Sequence, residues 1–368
     1  MKAKKYIMAE YKPSCSTTIV LVQDETLFIE QEQIMVFDTN STIFIQIAAY
    51  RDPDLPATLH NLLNRAAHPE RLHFGICLQL DASDPLGWRE QTFPDHAHLQ
   101  VDHVAAADSR GACWARSQAQ SFYAGEDVLL QIDSHMRAVE HWDEVLLETW
   151  NECSDPNAVL SVYPNGFEPP ETLQMGTLPV MTAAGFDDYG ILKFKGISQY
   201  KWPEQQPDRP IPGAFIAGGF LFGPGRIIKD VPYDPGLYFY GEEVSMSARL
   251  WTHGYNIYCP NRHALFHLYK RAAASGEKTT THWSDHSDWF KLNRRSLVRV
   301  HTLLRSLEVA PLSLRPTIED VDDLNQYWLG DARSLKQYQD WTGVDFLAQT
   351  VADSATQGWF SPAEQISR

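Results

Sequence analysis

The fold of this chain is constrained most strongly by a repeated pattern. Short apolar runs end in polar residues and are followed by segments with helical spacing. Three of these runs are nearly continuous, at Thr42–Ala49, Leu72–Leu80 and Asp127–Ile132. Such runs are typical of strands that are buried on both faces of a sheet. Leucines at helical spacing follow the first run in Leu55–Ala67, and a second helical pattern covers Trp142–Cys153. The alternation predicts an α/β fold, in which helices cover the faces of a mostly parallel sheet.

The charge balance excludes several classes of partner. The chain of 368 residues has a formal net charge of −16, whereas nucleic acids and anionic membranes require clustered lysines and arginines. Its five cysteines are widely spaced without a C-x-x-C pair, which argues against a disulfide framework or a zinc knuckle. No stretch has the apolar length of a signal peptide or an integral membrane span. These features predict a cytoplasmic protein, and its association into a homo-oligomer stays open.

One triplet, Asp133-Ser134-His135, directly follows the predicted strand at 127–132. Ligands of parallel sheets bind at the carboxyl ends of the strands, so the triplet lies where a site is expected. A carboxylate and an imidazole two residues apart can chelate one face of a divalent cation. Taken alone the triplet is a weak signal, because Asp133 could cap the next turn and His135 could be an exposed loop histidine.

A longer run around the triplet, LLQIDSHMRAVEHWDEVLL at Leu129–Leu147, resembles the metal-binding strand and following helix of two retaining glycosyltransferase groups. One group is the polypeptide N-acetylgalactosaminyltransferases, which use D-x-H in place of D-x-D. The other, which the chain resembles more closely, is the family of the hydroxyproline N-acetylglucosaminyltransferase that acts on the ubiquitin-ligase subunit Skp1, with its bacterial relatives. Further segments match that family in the expected order: Ile47–Leu55, Pro69–Gln79, Ser109–Ala119, Ala217–Pro224, Tyr240–Pro260, Phe266–Arg271 and Arg333–Phe346.

The resemblance implies the GT-A fold, a Rossmann-like nucleotide-diphospho-sugar transferase fold with N- and C-terminal elaborations. It also implies a site for Mn²⁺ or Mg²⁺ made by Asp133, His135 and His267, with His263 as the main competitor for the third position. The implied donor is a UDP-sugar, with N-acetylglucosamine (GlcNAc) as its sugar, and the implied reaction retains the anomeric configuration. The acceptor is a hydroxyl group of a protein or a glycan.

Five residues are predicted to contact the nucleotide. By resemblance, the uracil and ribose lie at Tyr50, Arg51 and Asp52, although Arg51 is as easily a solvated surface charge and Asp52 could start the next helix. Arg110 and Arg116 flank a predicted helix start, and arginines at such a place suit phosphate or ribose contacts. Arg116 is the preferred binder of the two, against the alternative of an ion pair on a helix face.

Three small residues and two acids complete the predicted site. Ser134 lies between two predicted metal ligands and is counted with the donor-binding residues. The pair Gly218-Gly219 lets a sugar ring approach the backbone, although tight strand packing explains such a pair almost as well. Glu242 and Glu243 open a predicted helix, where the helix dipole favours acids in any case. The resemblance gives one of them a contact with the sugar or the acceptor, and the choice between them stays open.

Three parts are expected along the chain: an N-terminal β appendage at residues 1–40, a GT-A catalytic domain at 41–270, and a lid loop with a C-terminal helical extension at 271–368. Residues 164–212 are predicted to form long loops and short strands. Ile216–Phe222 is predicted to be a strand that contains the glycine pair. His282, Asp285 and His286 could form another ligand cluster, but they are assigned to a lid that closes over the donor.

Two other functions use the same residues. A metal-dependent hydrolase of a phosphoester or a nucleotide-sugar would need the Asp133 and His135 set without an acceptor. A non-catalytic UDP-sugar-binding protein would bind the nucleotide without turnover. Product release without an acceptor would indicate the first, and UDP binding without any release would indicate the second.

Overall fold

The computed structural model describes residues 36–269 and 280–362. The β-strands of the described residues are β1 (Ile43–Tyr50), β2 (Leu72–Leu80), β3 (Leu99–Ala105), β4 (Val128–Asp133), β5 (Met136–Ala138), β6 (Ala158–Ser161), β7 (Phe167–Glu168), β8 (Thr172–Leu173), β9 (Thr177–Phe186), β10 (Leu192–Lys201), β11 (Ile211–Gly213), β12 (Phe220–Pro224), β13 (Asn256–Cys259), β14 (Leu265–His267), β15 (Val344–Asp345) and β16 (Thr350–Val351). The α-helices are α1 (Leu55–Arg65), α2 (Ala112–Gln120), α3 (Trp142–Glu152), α4 (Ile227–Asp230), α5 (Glu242–Thr252), α6 (His282–Asp285), α7 (Trp289–Leu303), α8 (Ile318–Val321), α9 (Leu335–Thr342) and α10 (Asp353–Gln357).

Eight strands form the central sheet, in the order β11-β13-β6-β12-β4-β1-β2-β3. Pairing is parallel from β4 through β1 and β2 to β3, and again between β6 and β13. Only β12 and β11 run against the others. The predicted α/β fold with a mostly parallel sheet is confirmed. In the register of β1 and β4, Ala48 lies opposite Asp133, so the segments after these strands meet at one edge.

The helices follow the predicted apolar patterns. In α1 the side chains of Leu55, Leu59 and Leu62 are fully buried, as their spacing along one helix face requires. The first residue of α3, Trp142, is also fully buried, and its Nε1 donates to the carbonyl oxygen of Leu62 at 2.9 Å. This bond ties α3 to α1 behind the segment that follows β4. None of the described helices is long and apolar enough to cross a membrane.

Two predictions of strand position are wrong. Residues 164–212 contain a long antiparallel hairpin of β9 and β10, rather than loops and short strands alone. Polar and small residues on the exposed side of these strands hide their alternation in the sequence. The strand predicted at Ile216–Phe222 begins later, at Phe220, so the glycine pair precedes it.

Other boundaries stay untested. Residues 1–35 of the predicted appendage and residues 270–279 of the predicted loop lie outside the described residues. The division of the chain at residues 40 and 270 therefore remains a prediction. The described C-terminal part contains three short helices, α8, α9 and α10, after the longer α7.

We expect Trp142→Phe to lower the free energy of unfolding by about 1–3 kcal/mol, because it removes a buried hydrogen bond and leaves a cavity. The matched control is Trp359→Phe, which makes the same change at a side chain that is 64% exposed. Urea unfolding followed by circular dichroism measures both. Equal unfolding midpoints for the two variants would contradict the assigned role of Trp142.

Candidate active site

Three predicted metal ligands lie together at the carboxyl end of β4. Asp133 is the last residue of β4, and the turn through Ser134 leads directly into β5. Antiparallel pairing of β5 with β14 places His267 opposite Met136, next to His135. The His267 Nε2 atom lies 3.0 Å from His135 Nε2 and 3.1 Å from Asp133 Oδ2. The structure thus brings together residues 134 positions apart in the chain.

The donor set fits a divalent cation. Among the described residues, Asp133, His135 and His267 form the one group of at least three acidic, histidine or cysteine side chains whose donor atoms converge. Two neighbouring donors that each lie about 2.1 Å from a metal are themselves about 3 Å apart, which matches the separations here. Carboxylate oxygen and imidazole nitrogen together suit Mn²⁺ and related ions. His263 lies elsewhere, with its Nε2 atom 3.1 Å from the Met175 carbonyl oxygen.

Asp52 orients the imidazole ring of His135. Its Oδ2 atom accepts from His135 Nδ1 at 2.7 Å and from the Ser134 hydroxyl at 2.6 Å. A proton on Nδ1 leaves the lone pair of His135 on Nε2, the atom that faces His267. Carboxylates behind metal-binding histidines commonly fix the ring in this way. Asp52 is 4% exposed, and its predicted contact with the nucleotide stays a prediction.

The side chain of Arg116 forms ion pairs with two carboxylates of the site. This buried side chain donates to Asp133 Oδ1 at 2.8 Å and also to Glu242 Oε1. Burial by itself raises the pKa of Asp133, but the hydrogen bond with His267 and the charge of Arg116 outweigh it. The pKa of Asp133 is therefore held well below its ordinary value. Asp133 stays an anion, as a metal ligand must be.

The two adjacent glutamates differ in their surroundings. Glu242 is buried, and its Oε1 atom accepts from Arg116 and from the Tyr233 hydroxyl. Glu243 is partly exposed, and its carboxylate accepts from the Gly218 backbone N–H at 2.9 Å and from the Tyr163 hydroxyl at 2.5 Å. Burial raises the pKa of Glu243 to about 7, although these two hydrogen bonds oppose the rise. Glu243 is thus the acid that can change its protonation near neutral pH.

A buried amide chain connects the sheet with these acids. Gln46 on β1 donates to Gln131 Oε1 on β4 at 2.5 Å. Gln131 Nε2 in turn donates to the Tyr233 hydroxyl at 2.5 Å and to the Gly218 carbonyl oxygen at 2.6 Å. Tyr233 and both glutamines are not among the residues that the sequence predicts for the site. A signal was present, since a glutamine in the middle of each buried strand requires polar partners.

The glycine pair allows close contact between backbone and carboxylates. A Cβ atom on Gly219 would lie 2.5 Å from Asp133 Oδ2, which is shorter than any real contact. A Cβ atom on Gly218 would lie 3.2 Å from Arg116 and 3.3 Å from Glu242. The two glycines therefore let the segment before β12 pack directly onto the charged cluster. Both also line a cavity, so the predicted approach of a sugar ring stays a prediction.

Two cavities adjoin the cluster, and both are bordered by Arg116, Asp133 and His267. The larger has a volume of about 450 Å³ and the smaller about 310 Å³. Further residues of the larger cavity include Tyr50, Asp52, Gln79, Gly111, Ser134, Tyr238, His282 and Trp283. Further residues of the smaller cavity include Tyr163, Lys193, Phe194, Gly218, Gly219, Tyr240, Glu242 and Glu243. The predicted metal ligands thus stand between two spaces of ligand size.

Two predicted nucleotide contacts lie outside both cavities. Arg51 pairs with Asp84 at 2.6 Å and with Asp285 at 2.7 Å. Arg110 is exposed and lies over the ring of Trp114. Neither arginine lines the larger or the smaller cavity. Their roles stay predictions that this arrangement does not favour.

Residues of the predicted lid cover the larger cavity. The ring of His282 packs against that of Tyr50 at 4.9 Å and stacks on that of His286 at 3.9 Å. His282 Nε2 lies 3.2 Å from the Ser109 carbonyl oxygen, and its Nδ1 lies 3.0 Å from the Tyr238 hydroxyl. Burial lowers the pKa of His282 to about 4, so the ring is neutral at pH 7. These rings form an aromatic wall at the end of β1.

A family model described as Glycosyltransferase (GlcNAc) matches residues 42–96 and 87–348. The chain belongs to this glycosyltransferase family. No curated protein matches it. The matched range of this GlcNAc glycosyltransferase family contains all three predicted metal ligands and both cavities.

The chain is similar to two solved glycosyltransferase structures, of which one agrees in fold. A structure of GalNAc-T7 with UDP, GalNAc and Mn²⁺ is 16% identical, with a TM-score of 0.53, and the match covers 83% of this chain and 57% of that one. The chain thus spans less than two thirds of the GalNAc-T7 structure. TarS from S. aureus in complex with UDP-GlcNAc is 13% identical, with a TM-score of 0.39, over 78% of this chain and 81% of that one. The similarity to the GalNAc-T7 structure shows that the chain described here has the GT-A fold.

We expect Gly219→Ala to weaken Mn²⁺ binding by roughly tenfold or more, the scale seen when the support of a metal ligand is disturbed. The added methyl group displaces the Asp133 carboxylate from its position beside His267. The control is Gly176→Ala, where a Cβ atom would meet nothing within 4 Å. Titration calorimetry with Mn²⁺ in the presence of UDP measures both, and equal affinities would count against the site.

We expect Glu243→Gln to become more stable relative to the wild type as the pH rises from 5 to 8. The folded protein raises the pKa of Glu243 from 4.5 to about 7, so it binds a proton that the unfolded chain releases, and stability falls as pH rises through this window. Glutamine carries no such proton. Its Oε1 can still accept from the Gly218 N–H, and its NH2 group can donate to the Tyr163 hydroxyl oxygen.

The matched control for this pH series is Glu168→Gln, the same chemical change at an exposed residue of β7. Urea midpoints at four pH values give the comparison. Parallel pH curves for the two variants would show that Glu243 does not have the assigned pKa.

Proposed function

We propose that this protein is a metal-dependent, retaining glycosyltransferase that moves GlcNAc from UDP-GlcNAc to a hydroxyl group of a protein or glycan. The observation that carries the proposal is the convergence of Asp133, His135 and His267 between two cavities. One space can take the nucleotide and the other the acceptor, with the sugar-phosphate bond between them. The family description, which names GlcNAc, supports the choice of sugar.

The larger cavity is the better candidate for the nucleotide. Its aromatic wall of Tyr50, Tyr238 and His282 can stack a base, and Gln79 offers amide groups that can bind an imide. The GalNAc-T7 structure of the same fold was solved with UDP, GalNAc and Mn²⁺. By analogy, Mn²⁺ or Mg²⁺ is the ion that we propose for the three ligands.

The metal, when bound, offsets the charge that builds on the leaving diphosphate. Arg116 keeps Asp133 ionised for this purpose and adds positive charge beside the cluster. Glu243 faces the smaller cavity and can accept a hydrogen bond from a sugar or acceptor hydroxyl. Its pKa of about 7 also allows it to donate. We therefore assign the substrate contact to Glu243, and we assign Glu242 the role of positioning Arg116.

Retention is proposed through a front-face substitution. A double displacement needs a carboxylate that is free to attack the anomeric carbon. Glu242 already accepts hydrogen bonds from Arg116 and Tyr233, and Glu243 already accepts hydrogen bonds from Gly218 and Tyr163. In the front-face reaction the acceptor oxygen bonds to the anomeric carbon while the bond to the diphosphate breaks. The acceptor proton passes to a diphosphate oxygen, so no protein nucleophile is needed.

The finer assignments belong to the same proposal. Kinship with the Skp1 hydroxyproline N-acetylglucosaminyltransferases rests on the matching segments of the sequence. A cytoplasmic location is proposed because four described cysteines, Cys77, Cys113, Cys153 and Cys259, are free thiols, as is usual in a reducing compartment. Self-association stays open.

We expect Asp133→Ala and His135→Ala each to lower UDP release from UDP-GlcNAc by roughly a hundredfold or more, as for other groups that stabilise developing charge. The control is His141→Ala, a similar change at a side chain that is 67% exposed. A UDP-detection assay with Mn²⁺, repeated with excess chelator, measures turnover. Far-ultraviolet circular dichroism establishes that the variants remain folded.

The alternatives give different results in that assay. Wild-type turnover in either variant, or full activity in chelator, would contradict the proposal. UDP binding by thermal shift without any UDP release would indicate a non-catalytic binding protein. Rapid hydrolysis of a simple phosphoester such as p-nitrophenyl phosphate would indicate a hydrolase.

A further inference from the structure

The outer strand of the β9–β10 hairpin has an open edge. In the described part of the chain these two strands form a sheet of their own, in which β10 pairs with β9 alone. The other side of β9 packs toward the body of the protein, where it meets α10, β11, β13 and β16. The ten residues of β10 therefore present backbone N–H and C=O groups along their second edge. Open edges of this kind can pair with an extended segment of another chain.

This edge is basic in an acidic protein. β10 contains Lys193, Lys195 and Lys201 and no acidic residue, although the chain has a net charge of −16. All three lysines are exposed. Among the described residues, no carboxylate lies within ion-pair distance of their ammonium groups. The charge on β10 is therefore available to a partner.

The edge also leads into the smaller cavity. Lys193 and Phe194, at the start of β10, line this cavity together with Glu243. The Lys193 Nζ atom lies 4.2 Å from the ring centre of Tyr240, another residue of the cavity wall. Arg116 pairs with both Asp133 and Glu242 and offsets one of their two negative charges. A bound segment that continues from β10 thus passes directly beside the metal ligands.

Lysines on an edge strand can also serve to prevent association between sheets. That explanation accounts for Lys195 and Lys201 but not for Lys193, which turns into the cavity and packs on Tyr240. A set of lysines that extends from an open strand edge into a reaction cavity is better explained by an anionic ligand.

We propose that the open edge of β10 binds an extended acidic segment of a polypeptide acceptor by strand addition. Lys193, Lys195 and Lys201 pair with its carboxylates, and a hydroxyl of the segment enters the smaller cavity. The inference rests on the proposed function and deepens it, because it assigns the acceptor to acidic polypeptides rather than to glycans.

The test uses the full chain with fluorescent 11-residue peptides that share a central threonine. Their flanks are glutamate in one, glutamine in the second and lysine in the third. We expect the acidic peptide to bind roughly tenfold more tightly than the neutral one, since each exposed ion pair adds a small factor. The difference should shrink in 0.3 M salt. The double variant Lys195→Glu with Lys201→Glu should remove the difference in affinity between the acidic and the neutral peptide. The control Lys336→Glu changes an exposed lysine on α9 and should leave that difference unchanged.

Backbone pairing is tested separately from charge. N-methylation of every second residue of the acidic peptide blocks the N–H groups of one edge. We expect the affinity to fall for one set of alternate positions and to stay unchanged for the other set. Equal effects of both sets, or equal binding of the three peptides, would overturn the inference.

The rate of UDP release with different acceptors distinguishes a polypeptide acceptor from a glycan acceptor. Acceleration of UDP release from UDP-GlcNAc by the acidic peptide would support the inference. Acceleration by neutral oligosaccharides and not by the peptide would overturn it. UDP release by the wild type without any acceptor reports on the proposed function alone, so the two failures can be distinguished.

Discussion

A buried guanidinium between two carboxylates is the interaction on which the site depends. Arg116 on α2 contacts Asp133 at the end of β4 and Glu242 at the start of α5. Two acids so close together, of which Glu242 is buried and Asp133 is 28% exposed, would each resist ionisation, and an unpaired buried charge costs several kcal/mol. One arginine offsets one of the two negative charges. The remaining charge is directed at the position where His135 and His267 converge.

The support for this ion cluster extends into the centre of the sheet. Gln46 and Gln131 lie side by side on two parallel strands, and their amides connect through Tyr233 to Glu242. Strands buried on both faces are usually apolar throughout. These polar positions are tolerated because the Gln46 amide group donates to Gln131, and Gln131 donates to Tyr233 and Gly218. The charged cluster is thus joined by hydrogen bonds to the centre of the sheet.

Much of the fold could be predicted because the sheet strands are apolar and well separated along the chain. The place of Asp133 followed from the strand before it, whereas His267 required a resemblance, since nothing in its local sequence distinguishes a ligand from a core histidine. Strands with an exposed face, as in 164–212, were missed because lysine and glycine obscure their alternation. The partners Gln131 and Tyr233 could not be paired in advance, because their contact joins strand and loop positions far apart in the sequence.

The contact between Asp52 and His135 joins two regions that would otherwise be independent. Asp52 belongs to the turn after β1 and borders the larger cavity, while the imidazole that it orients belongs to the predicted metal-binding cluster. Any molecule in the larger cavity that draws Asp52 toward itself changes how strongly His135 can donate to a cation. Thermodynamic linkage then requires the cation to change the affinity of that molecule by the same factor. For such a molecule and such a cation, the two binding equilibria would be coupled.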